Sequence, residues 1–180
     1  MNQQLVSFFQ REVFAGRKNL HIAEVACGSG YAAHLLAQQR EVALSLAADI
    51  NLEDHLQADI LDYRATFVLM DLFHPAARPG SMDLVWNSSS VEELERPNEA
   101  IEAMAWMAKA GGLVFVGVPN KAGPAGWLRI LPSRRTRAWL GRVYDRSELR
   151  QLLTSAGLEV KQEINYLFGT FVGVLAQKRT

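Results

Sequence analysis

A short apolar run, a loop with two glycines and a helical pattern follow one another between residues 20 and 40, and no other stretch constrains the fold as strongly. Leu20–Val25 predicts a buried strand, and the residues from Tyr31 onward predict a helix. Gly28 and Gly30 lack a Cβ atom, so the loop backbone can adopt positive φ angles and a ligand can approach it closely. The helix would point its free N–H groups and the positive end of its dipole at this loop. The stretch therefore favours an anionic or strongly polar ligand.

Further apolar runs alternate with helical or polar segments along the chain. Near-continuous apolar runs are typical of parallel strands that are covered on both faces. Two C-terminal runs flank a turn signal at residues 167–169, which would make the last strand antiparallel. The sequence therefore predicts an α/β fold with a doubly wound sheet of about seven strands, mostly parallel with an antiparallel last strand. The predicted strands are Leu20–Val25, Val42–Ala48, Thr66–Met70, Met82–Trp86, Leu113–Val118, Val160–Tyr166 and Thr170–Gln177.

Polar residues follow three of the predicted parallel strands. Asp49, Asp71 and Asn87 each come where an apolar run ends. Ligands of doubly wound sheets bind beyond the carboxyl ends of the strands. Asp49 follows the glycine loop by about 20 residues, which is the separation at which an acid reaches the hydroxyl groups of a ribose. Asp49 alone would also be an ordinary turn residue after a strand, but together with the loop it favours the ribose role.

The composition is that of a single globular domain over residues 1–180. Nineteen basic and nineteen acidic residues give a formal net charge of zero, which favours neither a nucleic acid nor a membrane surface as a partner. No apolar run is long enough to span a bilayer, and the N terminus lacks the basic start of a signal peptide. Cys27 is the single cysteine and cannot form an internal disulfide. We therefore expect a cytoplasmic protein.

Two segments outside the strand–helix alternation are candidates for covering the site. Residues 1–19 predict an amphipathic helix whose aromatic face would either pack into the core or lie over the ligand. Residues 121–144 interrupt the alternation with glycines, prolines, two tryptophans and several arginines. This composition indicates an insertion that caps the site on the substrate side.

Several motifs occur in a fixed order from about residue 20 to the C terminus. The first is an acid followed by spaced small residues, Glu24-x-Ala26-x-Gly28-x-Gly30, and the second is the acid Asp49. The later ones are Asp71-Leu72, the stretch Met104–Asn120 with its Gly-Gly turn, and Tyr144–Leu158. This ordered set resembles class I S-adenosylmethionine-dependent methyltransferases of the small-molecule type, with Ala in place of the first glycine of their first motif. The resemblance implies a Rossmann-like fold.

The resemblance also implies that S-adenosylmethionine is the cofactor and that a small molecule is the methyl acceptor. The glycine loop would hold the methionine end of the cofactor, with Glu24 organising the loop. Asp49 would bind the ribose. Asp71 and Leu72 would frame the adenine, and Asn87 would contribute near the sulfonium. The residues implied as cofactor-binding are Glu24, Ala26, Cys27, Gly28, Gly30, Asp49, Ile50, Asp71, Leu72 and Asn87.

The residues after the fourth strand are candidates for catalysis. Methyl transfer from a sulfonium needs in-line approach, exclusion of water and a deprotonated acceptor. Related enzymes often carry Glu-His at this position, whereas this chain has Glu92-Glu93. Either carboxylate could act as a general base, or both could be partners of a helix dipole. In the insertion, Arg134, Arg135 and Trp127 are expected to bind an acidic acceptor. The four histidines show no metal-ligand spacing, so no metal is expected.

Two other functions remain open at this point. Gly28-x-Gly30-x-x-Ala33 followed by Asp49 also satisfies a dinucleotide fingerprint, which would indicate an NAD-dependent oxidoreductase. The chain could also be a non-catalytic or atypical member of the family that binds S-adenosylmethionine without transferring its methyl group. Members that methylate amino groups of nucleic acids and proteins commonly carry Asn-Pro-Pro-aromatic after the fourth strand. This chain has Asn87-Ser-Ser-Ser there, so no nucleic acid is expected as a partner.

Overall fold

The computed structural model describes residues 2–58, 60–130 and 141–180. In that part of the chain, seven strands form one sheet in the order β3-β2-β1-β4-β5-β7-β6. The strands are β1 (Leu20–Val25), β2 (Val42–Asp49), β3 (Thr66–Leu69), β4 (Met82–Ser88), β5 (Ala108–Pro119), β6 (Leu158–Tyr166) and β7 (Phe171–Lys178). The α-helices are α1 (Asn2–Phe9), α2 (Tyr31–Ala37), α3 (Glu53–Gln57), α4 (Pro97–Met107), α5 (Pro124–Ile130) and α6 (Arg146–Ser155).

The strand order places a topological switch point in the middle of the sheet. Strands β1 to β5 run parallel, and β7 pairs antiparallel with both β5 and β6. The predicted doubly wound sheet with an antiparallel last strand is therefore confirmed. β2 and β3 lie on one side of β1, while β4 and β5 lie on the other. In sheets of this kind the ligand crevice lies beyond the carboxyl ends of the strands at such a reversal, which here falls between β1 and β4.

Helices cover both faces of the sheet because its central strands β1, β4 and β5 are buried on both sides. On one face the N-terminal helix packs its aromatic side chains inward, and the Phe9 ring lies 5.1 Å from that of Phe115 and 5.4 Å from that of Trp86. Of the two roles predicted for residues 1–19, the structure shows core packing. The opposite face packs against α4 and α6 through a second set of buried residues, which includes Val85, Val114, Ile101, Met104 and Leu149.

Strand β5 begins earlier than predicted. Gly111 and Gly112 predict a break before a strand at Leu113, but the strand starts at Ala108 and runs through both glycines. Its pairing with β4 shifts register at this point, so the extra residues bulge out of the ladder. A Cβ atom at Gly112 would lie 2.9 Å from the backbone N and O of Lys109, so the bulge needs a residue without a side chain. Within the described residues, no helix is both long enough and apolar enough to cross a membrane.

Candidate functional site

The glycine loop connects β1 to α2 at the switch point of the sheet. Ala26, Gly28 and Gly30 all have positive φ angles, of 49°, 54° and 70°. A residue with a Cβ atom rarely adopts this conformation, so Ala26 is held in a strained backbone geometry where glycine would be relaxed. A Cβ atom at Gly28 would meet nothing within 4 Å, so the loop is open on that side. Burial raises the pKa of the Cys27 thiol, which therefore stays protonated at neutral pH and is a poor nucleophile.

Glu24 lies inside the molecule, one residue before the end of β1. Its Oε2 atom accepts a 2.7 Å hydrogen bond from the backbone N–H of Ala33 in the first turn of α2. The side chain is almost fully buried, and this burial raises the pKa of the carboxyl group to about 8. Glu24 therefore fixes the helix to the strand across the loop.

Asp49 joins the end of β2 to the same loop. Its Oδ2 atom accepts a 2.7 Å hydrogen bond from Gly28 N–H, and its Oδ1 atom accepts one of 2.8 Å from Asn51 N–H. A carboxylate has about four lone-pair sites, so both oxygens can accept further hydrogen bonds from a ligand. The next residue, Ile50, is 72% exposed beside it and offers an apolar surface.

Asp71 and Leu72 follow the end of β3 at the same edge of the sheet. β3 pairs in parallel with β2, and Asp49 lies opposite Leu69 in that pairing. The Asp71 side chain accepts a hydrogen bond from Phe73 N–H and is 2.8 Å from Nδ1 of His74. The hydrogen bond with His74 lowers the pKa of Asp71, which is therefore ionised at neutral pH. Leu72 is buried in the core below it.

Asn87 bridges the two strands of the switch point. Its Nδ2 donates a 2.7 Å hydrogen bond to the carbonyl of Val25, and its Oδ1 accepts one of 3.2 Å from Val91 N–H. The side chain is buried, so its amide builds the floor between β1 and β4. Ser90 adds a 3.1 Å hydrogen bond from its hydroxyl to the carbonyl of Ala26. The hydrogen bonds of Asn87 connect β1 to the segment after β4. Asn87 would therefore contribute near the sulfonium by holding these two segments in place.

The two candidate general bases differ sharply in environment. Glu92 is 6% exposed, and burial raises the pKa of its carboxyl group to about 7, an effect that a hydrogen bond from Ser89 partly offsets. Among the described residues, the Oε2 atom of Glu92 is buried without a hydrogen-bond partner. Glu93 is exposed to solvent. Burial thus distinguishes two neighbours that the sequence leaves equivalent, and of the two only Glu92 holds an unpaired carboxyl oxygen away from solvent.

The predicted substrate-side residues are only partly described. Trp127 lies on α5 with 74% of its surface exposed. Arg134 and Arg135 lie outside the described residues, so their placement stays a prediction. Across the described ranges 2–58, 60–130 and 141–180, no group of three or more His, Cys, Asp or Glu side chains is arranged to hold a metal ion.

Sequence reasoning missed two side chains that contact the glycine loop. His55 and Tyr63, from the connection between β2 and β3, reach the carbonyl groups of Ser29 and Gly30. No local pattern marks these residues, because their contacts depend on the path of the chain after β2. The only signal in the sequence is that a histidine and a tyrosine occur within a polar connection.

The comparisons with known proteins agree with this geometry. Residues 1–163 match a family model described as a methyltransferase domain. A probable S-adenosylmethionine-dependent methyltransferase from Mycolicibacterium smegmatis is 26% identical over 155 residues, which cover 82% of this chain and 55% of that protein. Ubiquinone biosynthesis O-methyltransferase from Bartonella quintana is 28% identical over 164 residues, which cover 84% of this chain and 65% of that protein. The chain thus spans less than two thirds of the length of either relative.

A solved structure also shares the fold. Magnesium protoporphyrin IX methyltransferase from Synechocystis PCC 6803, determined with bound SAH, superposes with a TM-score of 0.75 at 17% identity. The superposition covers 98% of this chain and 81% of that one.

Proposed function

Because the chain belongs to the methyltransferase domain family, we propose that it transfers the methyl group of S-adenosylmethionine to a small-molecule acceptor. One observation carries this proposal: Glu24 near the end of β1, Asp49 at the end of β2 and Asp71 just beyond β3 lie at the carboxyl ends of three adjacent parallel strands, at the edge of the sheet that holds the glycine loop. S-adenosylmethionine carries a cationic sulfonium and ammonium group together with a ribose diol. The carboxyl groups at this edge match those features in hydrogen-bonding capacity, and an ionised carboxylate also matches the cationic groups in charge.

The residues at this edge fit such a cofactor in detail. Asp49 keeps acceptor capacity for two ribose hydroxyls after bonding to Gly28 and Asn51. The exposed side chain of Ile50 beside it offers an apolar surface for the adenine, and Asp71 would frame the other side of the ring. The open space at Gly28 leaves room for the methionine end. A cationic group nearby would favour the ionised form of Glu24, whose pKa burial has raised.

Within the chain, Glu92 is proposed as the general base. The cofactor supplies an activated methyl group when bound, so the protein has to exclude water and deprotonate the acceptor. Glu92 holds an unpaired carboxyl oxygen in a buried position after β4. Its pKa of about 7 makes it a better base than an ordinary glutamate, while a large fraction stays ionised at neutral pH. Glu93 is the weaker candidate because it faces solvent.

The acceptor is proposed to be an acidic small molecule bound on the side of residues 121–144. Trp127 would supply an exposed aromatic surface, and Arg134 and Arg135 would pair with an anionic group. The name of the Bartonella quintana relative makes hydroxylated precursors of ubiquinone a first set of acceptors to test.

Calorimetry with three ligands tests the cofactor. The chain should bind S-adenosylmethionine and S-adenosylhomocysteine but not NAD. Asp49→Asn should weaken S-adenosylhomocysteine by about tenfold or more, because hydrogen bonds to a charged group are lost. The exposed Asp62→Asn is the control and should leave affinity unchanged. Absence of binding by the unvaried chain would refute the proposal.

Incubation with methyl-labelled S-adenosylmethionine and a metabolite extract then tests the reaction. A labelled small-molecule product, identified by mass spectrometry, is the expected result. Binding of the cofactor without any labelled product would favour the non-catalytic or atypical alternative instead.

A further inference from the structure

Two side chains from the connection between β2 and β3 make hydrogen bonds to consecutive carbonyl groups of the glycine loop. Nδ1 of His55 lies 3.2 Å from the carbonyl oxygen of Ser29, and the hydroxyl of Tyr63 lies 3.3 Å from that of Gly30. A carbonyl oxygen only accepts hydrogen bonds, so both side chains must act as donors. His55 therefore carries a proton on Nδ1.

The same two side chains belong to a continuous series of ring contacts. The His34 ring of α2 stacks on Tyr63 at 5.6 Å, Tyr63 meets His55 edge-on at 4.7 Å, and His55 stacks on Phe67 of β3 at 4.1 Å. His34 is itself fixed, because its Nδ1 accepts a 3.0 Å hydrogen bond from Arg64 N–H. The rings therefore tie the first turns of α2 to the edge strand of the sheet, and the two donors are held rigidly against the loop.

Gly30 is fitted to Tyr63. A Cβ atom at Gly30 would collide with the Tyr63 hydroxyl and would lie 3.0 Å from Cβ of Ala47. The space that a side chain at residue 30 would need is thus filled by a side chain from 33 residues away. At Gly30 the missing side chain therefore allows the Tyr63 hydroxyl to approach the loop backbone closely.

We propose that His55 and Tyr63 are positioning residues that hold the glycine loop ready for the amino-acid end of S-adenosylmethionine. This inference rests on the proposed function. A planar peptide group cannot turn its N–H without turning its carbonyl, so two fixed carbonyls fix two successive peptide planes of the loop. A loop already ordered before binding loses less conformational freedom when the ligand arrives, which strengthens binding.

Two probes separate loop positioning from a general effect on the fold. S-adenosylhomocysteine carries the amino-acid end, whereas 5′-methylthioadenosine has the same nucleoside without it. His55→Phe keeps a ring but removes the donor, and Tyr63→Phe removes only the hydroxyl. Each variant should bind S-adenosylhomocysteine about fivefold more weakly by calorimetry, as expected for one lost hydrogen bond. Affinity for 5′-methylthioadenosine should stay within about twofold of the unvaried value, because in the proposed arrangement Asp49 and Ile50 hold the nucleoside end.

Rescue and control variants complete the experiment. His55→Asn places an N–H donor near the position of Nδ1 and should restore affinity for S-adenosylhomocysteine to within about twofold. His21→Phe makes the same substitution at the amino end of β1, far from the loop, and should change neither affinity.

Three results would overturn the inference. Unchanged affinity for S-adenosylhomocysteine in both Phe variants would mean that the two hydrogen bonds do not matter. An equal loss for both probes would indicate a general structural effect. If the unvaried chain bound neither probe, the proposed function would be overturned together with this inference. This result is distinguishable from the other two because it is seen without any variant.

Discussion

Ala26 offers a direct test of how the glycine loop stores strain. Its φ of +49° lies in the left-handed region, which costs a residue with a Cβ atom about 1–2 kcal/mol. Ala26→Gly would remove that strain. The gain is reduced by about 0.5–1 kcal/mol because glycine has more freedom in the unfolded chain, and slightly further because a half-buried methyl group is lost. We expect a net rise in the free energy of unfolding of about 0.5 kcal/mol, or about 1–2 °C in Tm.

Gly28 provides the matched opposite substitution in the same loop. It also has a positive φ, of 54°, and a Cβ atom there would meet nothing within 4 Å, so Gly28→Ala introduces strain without a clash. The variant should lose about 0.5–1 kcal/mol. The two substitutions should therefore shift stability in opposite directions, although each exchanges the same two residue types.

Urea unfolding followed by circular dichroism measures both changes. The comparison is valid where all three proteins share one m-value, because then only stability has changed. If Ala26→Gly destabilised the chain, or if Gly28→Ala had no effect, the strain argument would be wrong.

Three further predictions concern the carboxyl groups and the fit around the loop. Glu92→Gln should lower the methyl-transfer rate by about 10²-fold or more without changing the affinity for S-adenosylhomocysteine, since a general base acts on the acceptor. Glu93→Gln should leave the methyl-transfer rate within about twofold of the unvaried value. Steady-state kinetics measure the rates, and calorimetry measures the affinities. Burial raises the pKa of Glu24 to about 8, so its contribution to stability is present below pH 4.5 and is lost as the pH rises to about 8. Glu24→Gln should therefore match the unvaried protein in free energy of unfolding at acid pH and exceed it at pH 8, and identical urea curves at pH 8 would contradict this. Gly30→Ala should destabilise the chain by more than about 2 kcal/mol. The same substitution should cost less in the Tyr63→Phe background, because the hydroxyl that the new Cβ atom meets is gone. A double-mutant cycle by urea unfolding should give a clear coupling energy between the two substitutions, and strictly additive effects would refute the contact.

Local patterns were sufficient to predict the sheet and the family. β1 begins and ends where the sequence places it, because Leu20–Val25 is a mainly apolar segment bounded by Asn19 and the glycine loop. Residues 145–148 have the Asp-x-x-Glu spacing of a capping box, and in the structure Asp145 and Glu148 form this box at the start of α6. The resemblance to methyltransferases rests on such local motifs, and the match of residues 1–163 to the family model confirms it.

Features that depend on distant packing could not be predicted. Gly111 and Gly112 are typical of a helix end followed by a new strand, but here they form a bulge inside β5 because β4 lies alongside. Glu92 and Glu93 are equivalent in sequence, and only the tertiary structure buries one of them. His55 and Tyr63 contact the loop because the connection after β2 folds back toward α2. No periodicity in the sequence predicts the path of this connection.

The same long-range contacts explain how the loop tolerates alanine where the family has glycine. A strained backbone persists only when its surroundings fix it more firmly than the strain can relax it. The loop backbone and the last residue of β1 form hydrogen bonds with side chains from three separate parts of the chain. These are Asp49 at the end of β2, His55 and Tyr63 before β3, and Asn87 and Ser90 near the end of β4. If these bonds hold the loop in place, removing any one of them should let the loop relax part of the strain at Ala26. Ala26→Gly should then stabilise the His55→Phe variant by less than it stabilises the unvaried chain, because a loosened loop can already relax its strain.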